Sequence, residues 1–180
     1  MRVLAFCLLT GLLVIPDAPA AEIPAPPAKV RQQLPGLEAS GSGVFRFLWM
    51  DIYTASLWTA GPPAATARPL ALSLRYARDL DGQAIAQRSR DEMHALGLAD
   101  ESQLAEWLRD MENIFPDVRA GDQLTGVRWA DGSTSFYLGE TLLDTVHDPL
   151  FGEAFFAIWL HEQTSAPALR QALLGKAADP

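Results

Sequence analysis

Beyond residue 21 the chain has no cysteine, because its single one is Cys7, inside an apolar leader. That excludes disulfides, thiol nucleophiles and cysteine-based metal sites together, so stability must come from packing. Positive charge is scarce as well: 14 Lys and Arg stand against 22 Asp and Glu, a net charge of −8. Loss of the leader removes Arg2 and Asp17, one charge of each sign, and leaves that balance unchanged. A chain this acidic lacks the basic footprint that nucleic acid or an anionic membrane requires. Long hydrophobic runs are absent too. The apolar run at residues 3–15 falls short of the roughly 17–25 residues of a membrane-spanning helix.

That run has the marks of a secretory signal peptide over residues 1–21. Arg2 gives the positive start, and Ala18-Pro19-Ala20 gives the small-x-small pattern for cleavage after Ala20 or Ala21. The expected product is a soluble, periplasmic or secreted protein with no stable membrane insertion. About 160 residues remain, one ordinary domain. Residues 22–36, rich in proline and alanine, read as an extended lead-in to a domain spanning residues 37–176.

The domain is organised around residues 41–58, GSGVFRFLWMDIYTASLW. Dense in β-branched and aromatic residues, this stretch predicts two long strands reversing near residues 49–51. Phe45, Phe47 and Trp49 lie on one parity; Val44, Leu48, Met50 and Ile52 lie on the other. Apolar residues on both parities predict a strand pair covered on both faces, at the centre of a sheet. Residues 70–78 alternate as a half-buried strand. Asp79 or Asp81 caps a helix over residues 83–97, and a second helix covers residues 102–115 before Pro116 stops it. Strands follow at residues 123–130, 134–138 and 141–146, the first two joined by the Asp131-Gly132 hairpin signal. Asp148-Pro149 opens a helix over residues 150–161 that is apolar nearly all round and hence buried. A last helix covers residues 168–174. Helices and hairpins in separate blocks, without repeated βα alternation, define an α+β domain.

No motif supplies a chemistry. His161-Glu162 begins like a zincin motif, but Ser165 stands where the second histidine belongs. Asp144, His147 and Asp148 have metal-like spacing, yet Asp148 is already explained as a helix cap. Gly41-Ser42-Gly43 leads into a strand and reads as a bulge or a close backbone approach. Trp107, Trp129 and Trp159 read as core. Arg46, inside an apolar strand, either serves a pocket as an anion site or pairs with Asp51 across the hairpin. Arg75 and Arg78 are the other candidates for a carboxylate clamp. No catalytic residue, metal or cofactor is assigned.

The segments GSGVFRFLWMDIYTASLW, FPDVRAGDQLTG at residues 115–126, FYLGE at residues 136–140 and FFAIWL…APALRQALLG at residues 155–175 resemble the bacterial chalcone isomerase-like family. The resemblance covers residues 37–175 and implies a curved antiparallel sheet, helices packed on one face, and a cleft between them. Placed by eye, the plant isomerases' catalytic arginine falls at Phe45 or Arg46 and their threonine at Leu48. Their tyrosine and asparagine fall at Ile85 and Glu92. Leu48 and Ile85 have no polar atom to hold a water or stabilise an enolate. The resemblance therefore implies a non-catalytic, fatty-acid-binding relative, in which an arginine and a tyrosine hold the carboxylate. Arg46 with Tyr53, or Arg75 with Tyr76, could supply that pair. An isomerase or lyase with a different residue set, and an interaction partner of another envelope protein, are the alternatives. No particular protein partner follows from the sequence.

Overall fold

A computed structural model describes residues 23–61 and 69–175. The expected signal peptide lies outside these residues, as does most of the expected loop between the second and third strands. In chain order the elements are α1 (Ala28–Gln33), β1 (Glu38–Phe47), β2 (Met50–Thr59), β3 (Leu70–Tyr76), α2 (Gly82–Ala95) and α3 (Glu101–Ile114). There follow β4 (Gln123–Arg128), β5 (Thr134–Leu138), β6 (Thr141–Val146), α4 (Pro149–Leu160) and α5 (Pro167–Leu173). The strands form one antiparallel six-stranded sheet in sequence order, β1 to β6, so the fold is α+β as the sequence predicts.

Helices α2 to α5 cover one face of that sheet. Leu70, Leu72, Leu74 and Tyr76 of β3 face them, and α4 contributes Phe151, Phe155 and Phe156 to the shared core. Phe136 of β5 sits at the centre, fully buried, with its ring edge-on to Phe115, Phe151 and Phe155 at centroid distances of 5.0–6.0 Å. Caps fix where the helices start. Asp81 accepts from the Ala84 amide, Asp100 and Gln103 form a capping box, and Asp148 accepts from the Leu150 amide. The second carboxylate oxygen of Asp148 accepts from Trp107 Nε1 at 2.9 Å, which ties α3 to the start of α4.

The other face of the sheet differs from expectation. Ala71 and Ser73 are as buried as their neighbours Leu70 and Leu72, so β3 is covered on both sides rather than half-buried. The cover is the proline-rich segment itself. Pro24 O accepts from Ser56 Oγ and from Trp58 Nε1, the latter at 3.0 Å, and Ala25 O accepts from Gln123 Nε2 at 2.6 Å. Val30 of α1 packs with Ala71, Val127 and Tyr137, and Trp129 joins this smaller cluster rather than the main core. Residues 24–34 are thus part of the packed domain: the Pro24 and Ala25 carbonyls answer polar side chains on the sheet that would otherwise be buried unpaired.

The leading hairpin corrects a second expectation. Its two apolar parities do not mark the middle of the sheet, because β1 is an edge strand. The reversal is a two-residue loop, Leu48-Trp49, closed by the Phe47–Met50 pair. Both loop residues have positive φ, 46° and 67°. This turn ordinarily selects Asn-Gly, and for bulky apolar residues each left-handed φ costs on the order of 1–3 kcal/mol. Phe47, Leu48 and Trp49 are 56%, 63% and 94% exposed. Gly41 and Gly43 do mark a close approach: a Cβ on Gly41 would lie 2.0 Å from the Ala172 carbonyl oxygen of α5.

Candidate functional site

Between the helix-facing side of the sheet and helices α2 and α4 lies a cavity of about 320 Å³. Three elements build its walls. On the sheet, Tyr53 of β2 pairs directly opposite Tyr76 of β3, and Leu74 lies two residues before Tyr76 on the same face. On α2, Ile85, Arg88, Ser89 and Glu92 line the cavity, a stripe at the i, i+3, i+4, i+7 spacing of one helix face. On α4, Phe155 and Trp159 close the inner side, while buried Phe115 and Leu124 form the floor. Phe47, at the base of the hairpin loop, and Ala84, Arg88 and Ser165 are lining residues that are also exposed, which places the mouth among them.

The polar groups concentrate on one side. Trp159 Nε1 donates to Tyr53 Oη at 3.0 Å, and Phe45 stacks on the Tyr53 ring at 5.1 Å. Burial pushes the Tyr53 phenol up to about 12; the Trp159 bond pulls against that, and the Glu92 charge adds to it. Burial raises Tyr76 further, with the neighbouring Tyr53 adding to the effect. Both phenols therefore stay protonated and present O–H donors at neutral pH. Arg88 Nη2 donates to Glu92 Oε1, an oxygen that also accepts from Ser165 Oγ at 2.9 Å. Glu92 is sheltered, with 11% of its side chain exposed, whereas Arg88 reaches outward with 65% exposed. The remaining guanidinium donors of Arg88 meet no protein acceptor among the described residues. They are available to an anion at the mouth.

Of the residues singled out in the sequence, Tyr53 and Tyr76 line this cavity; Arg46 and Arg75 do not. Phe45 and Phe47 line the cavity, so strand alternation turns Arg46 between them to the other side, where its Nε meets Asp51 Oδ1 at 2.6 Å with both side chains more than half exposed. The salt-bridge alternative is what the fold adopts. Arg75 shares the parity of Ala71 and Ser73 on β3, the face turned away from helices α2 to α5. The pairing of a strand arginine with a strand tyrosine therefore does not occur in the cavity. Leu48 sits at the exposed loop tip rather than in a wall, while Ile85 and Glu92 do line the cavity. Arg88, Ser165 and the donor role of Trp159 escaped sequence reasoning. The spacing of Ile85, Arg88, Ser89 and Glu92 was the available signal for Arg88. No group of three or more His, Cys, Asp or Glu among the described residues could hold a metal ion.

A six-stranded antiparallel meander under a helical layer, with an apolar cavity between them, defines the class: an α+β domain of chalcone isomerase-like fold. The chain belongs to the chalcone isomerase-like family, whose match runs over residues 23–175 and so includes most of the proline-rich segment. It is 32% identical over 137 residues to an uncharacterized protein of Haemophilus influenzae, covering 74% of this chain and 67% of that one. Among solved structures it is similar to a fatty-acid binding protein of Arabidopsis thaliana, at a TM-score of 0.63 and 11% identity. That likeness covers 78% of this chain and 87% of the plant protein, and it establishes the fold.

Proposed function

We propose that this protein is an exported, non-catalytic carrier or sensor that binds a small apolar carboxylate, such as a fatty acid, in the cavity between sheet and helices. The observation that carries the reading is the cavity itself: about 320 Å³, walled by aromatic and aliphatic side chains, with its polar groups gathered on one side. Its volume lies at the low end of small-molecule sites, which favours a medium over a long acyl chain. The acyl chain lies toward Leu124 and Phe155, and the carboxylate meets Arg88 at the mouth with Tyr53 as a neutral donor. Arg88 thus takes the part first given to Arg46. The plant protein's description as fatty-acid binding supports this ligand class. Burial of an apolar chain supplies most of the affinity, and the polar contacts set its direction.

The isomerase or lyase reading has less support. Tyr53 and Tyr76 are held protonated and so act as donors rather than bases. Glu92, the carboxylate of the wall, already accepts from Arg88 and Ser165. Export rests on the leader pattern of residues 1–21 and belongs to the same reading.

The test is calorimetric titration of protein recovered from the exported fraction, whose sequenced N-terminus is expected at Ala21 or Glu22. Medium-chain fatty acids should bind the wild type. Arg88→Ala should weaken binding by about 1 kcal/mol, less than a buried charged hydrogen bond because Arg88 is exposed. Arg46→Ala should leave binding unchanged. No binding by the wild type would remove the reading, and equal losses in the two arginine variants would remove Arg88 as the anchor. A product beginning at Met1 would remove export.

A further inference from the structure

The tip of the β1–β2 hairpin is unexplained by the fold or by the cavity. Phe47, Leu48, Trp49 and Met50 form a continuous exposed apolar knob, with Trp49 94% exposed. Two of these residues hold positive φ, so Leu48-Trp49 is unfavourable for local backbone geometry and for solubility alike. An Asn-Gly loop would satisfy both. A feature that costs stability and solubility together points to a function.

The surroundings of the knob narrow what that function is. Phe47 belongs at once to the knob and to the mouth of the cavity. Cations flank it. Arg78 Nη1 lies 2.9 Å from Met50 Sδ and has no carboxylate partner among the described residues. Arg46 stands at the base of the knob, paired with Asp51, and Arg88 stands across the mouth. An aromatic and aliphatic tip ringed by arginines has the chemistry of the bilayer interface, where Trp sits at headgroup level and Arg meets lipid phosphate. A second copy of this chain fits less well. A stable dimer needs about 20–30 residues a side, far more than a four-residue convex tip offers. The net charge of −8 opposes broad adsorption to an anionic surface, so any contact is confined to the tip.

We infer that the hairpin tip is a lipid-docking element that inserts Leu48 and Trp49 into the headgroup region of a phospholipid bilayer and sets the cavity mouth against the membrane. Arg78 supplies the contact to lipid phosphate. The further step, that acyl ligands pass between bilayer and cavity beside Phe47, rests on the binding function proposed above; the docking does not. Docking of this kind needs no helix that crosses the membrane, and none of the described helices is long and apolar enough to do so.

Flotation of the protein lacking residues 1–21 with phosphatidylcholine vesicles, with and without phosphatidylglycerol, tests this. Wild type should float with the vesicles, more strongly when phosphatidylglycerol is present. The double variant Leu48→Asn/Trp49→Gly should bind about ten-fold more weakly while keeping or raising its thermal stability. Arg78→Gln should reduce the preference for phosphatidylglycerol by about five-fold. Because neither tip residue lines the cavity, the double variant should still bind free fatty acid like wild type. No flotation of wild type, or equal flotation of the double variant, would overturn the docking. So would a tip-dependent dimer in sedimentation that does not bind vesicles. Fatty-acid binding without flotation sinks the docking alone; flotation without fatty-acid binding sinks the binding function alone.

Discussion

Tyr53 and Tyr76 face each other across neighbouring strands, and each phenol is raised chiefly by burial. The third tyrosine, Tyr137 on the opposite face, is raised by burial as well. The consequence for stability has a definite sign. The unfolded chain releases phenol protons near pH 10. The folded chain still holds that of Tyr53 up to about 12, and that of Tyr76 beyond it. Above about pH 10 the unfolded state therefore binds fewer protons than the native state, and stability falls as pH rises. Below that pH the contribution is fully present. Ultraviolet titration of the native protein should show little phenolate where free tyrosine is half ionised, with phenolate appearing as unfolding sets in. Two rings titrating normally in the folded protein would contradict the burial. The sequence placed both tyrosines on strands, but the arginines it singled out beside them, Arg46 and Arg75, do not line the cavity. Arg46 alternates with Phe45 and Phe47, which line the cavity, and so faces away from it; alternation alone does not say which parity of an apolar strand meets the cavity.

Among the elements, α5 depends on bare backbone beneath it. Gly41 lets the Ala172 and Leu173 carbonyls approach β1 so closely that a Cβ would lie 2.0 and 2.7 Å from their oxygens. Those are backbone atoms and cannot rotate away. Gly41→Ala should destabilise the fold by about 1–3 kcal/mol, the usual cost of overpacking. Gly36→Ala, where the new methyl meets nothing within 4 Å, should stay within about 0.5 kcal/mol. Paired denaturant titrations decide it; equal midpoints would mean that α5 is not seated on β1. Element positions were largely legible, because strand alternation and helix caps are local signals. The role of residues 24–34 was not. Prolines and alanines look like a linker until their carbonyls are seen to accept from Ser56, Trp58 and Gln123, far away in sequence. The hairpin tip misled for the opposite reason: apolar residues on both parities fit a buried strand pair as well as an exposed apolar tip.

At the scale of the whole molecule, the sheet carries two different faces. One, covered by the N-terminal segment, is closed with matched hydroxyl and carbonyl groups such as Ser73 with Thr125 at 3.0 Å. The other carries α2 to α5 and leaves the cavity open near the hairpin. The resemblance in the sequence implied that cleft. Which residues converge in it was legible only in part: Arg88 and Glu92 share one face of α2, but that face meets Tyr53, Trp159 and Ser165 through tertiary packing. The central claim is that an acyl chain occupies this cavity with its carboxylate at Arg88. A crystal structure with a medium-chain fatty acid brominated at its terminal carbon tests it most directly. Anomalous scattering should place bromine beside Leu124 and Phe155, with the carboxylate within hydrogen-bond distance of Arg88. Bromine outside the cavity, or a carboxylate at the floor and the chain end at the mouth, would contradict the account.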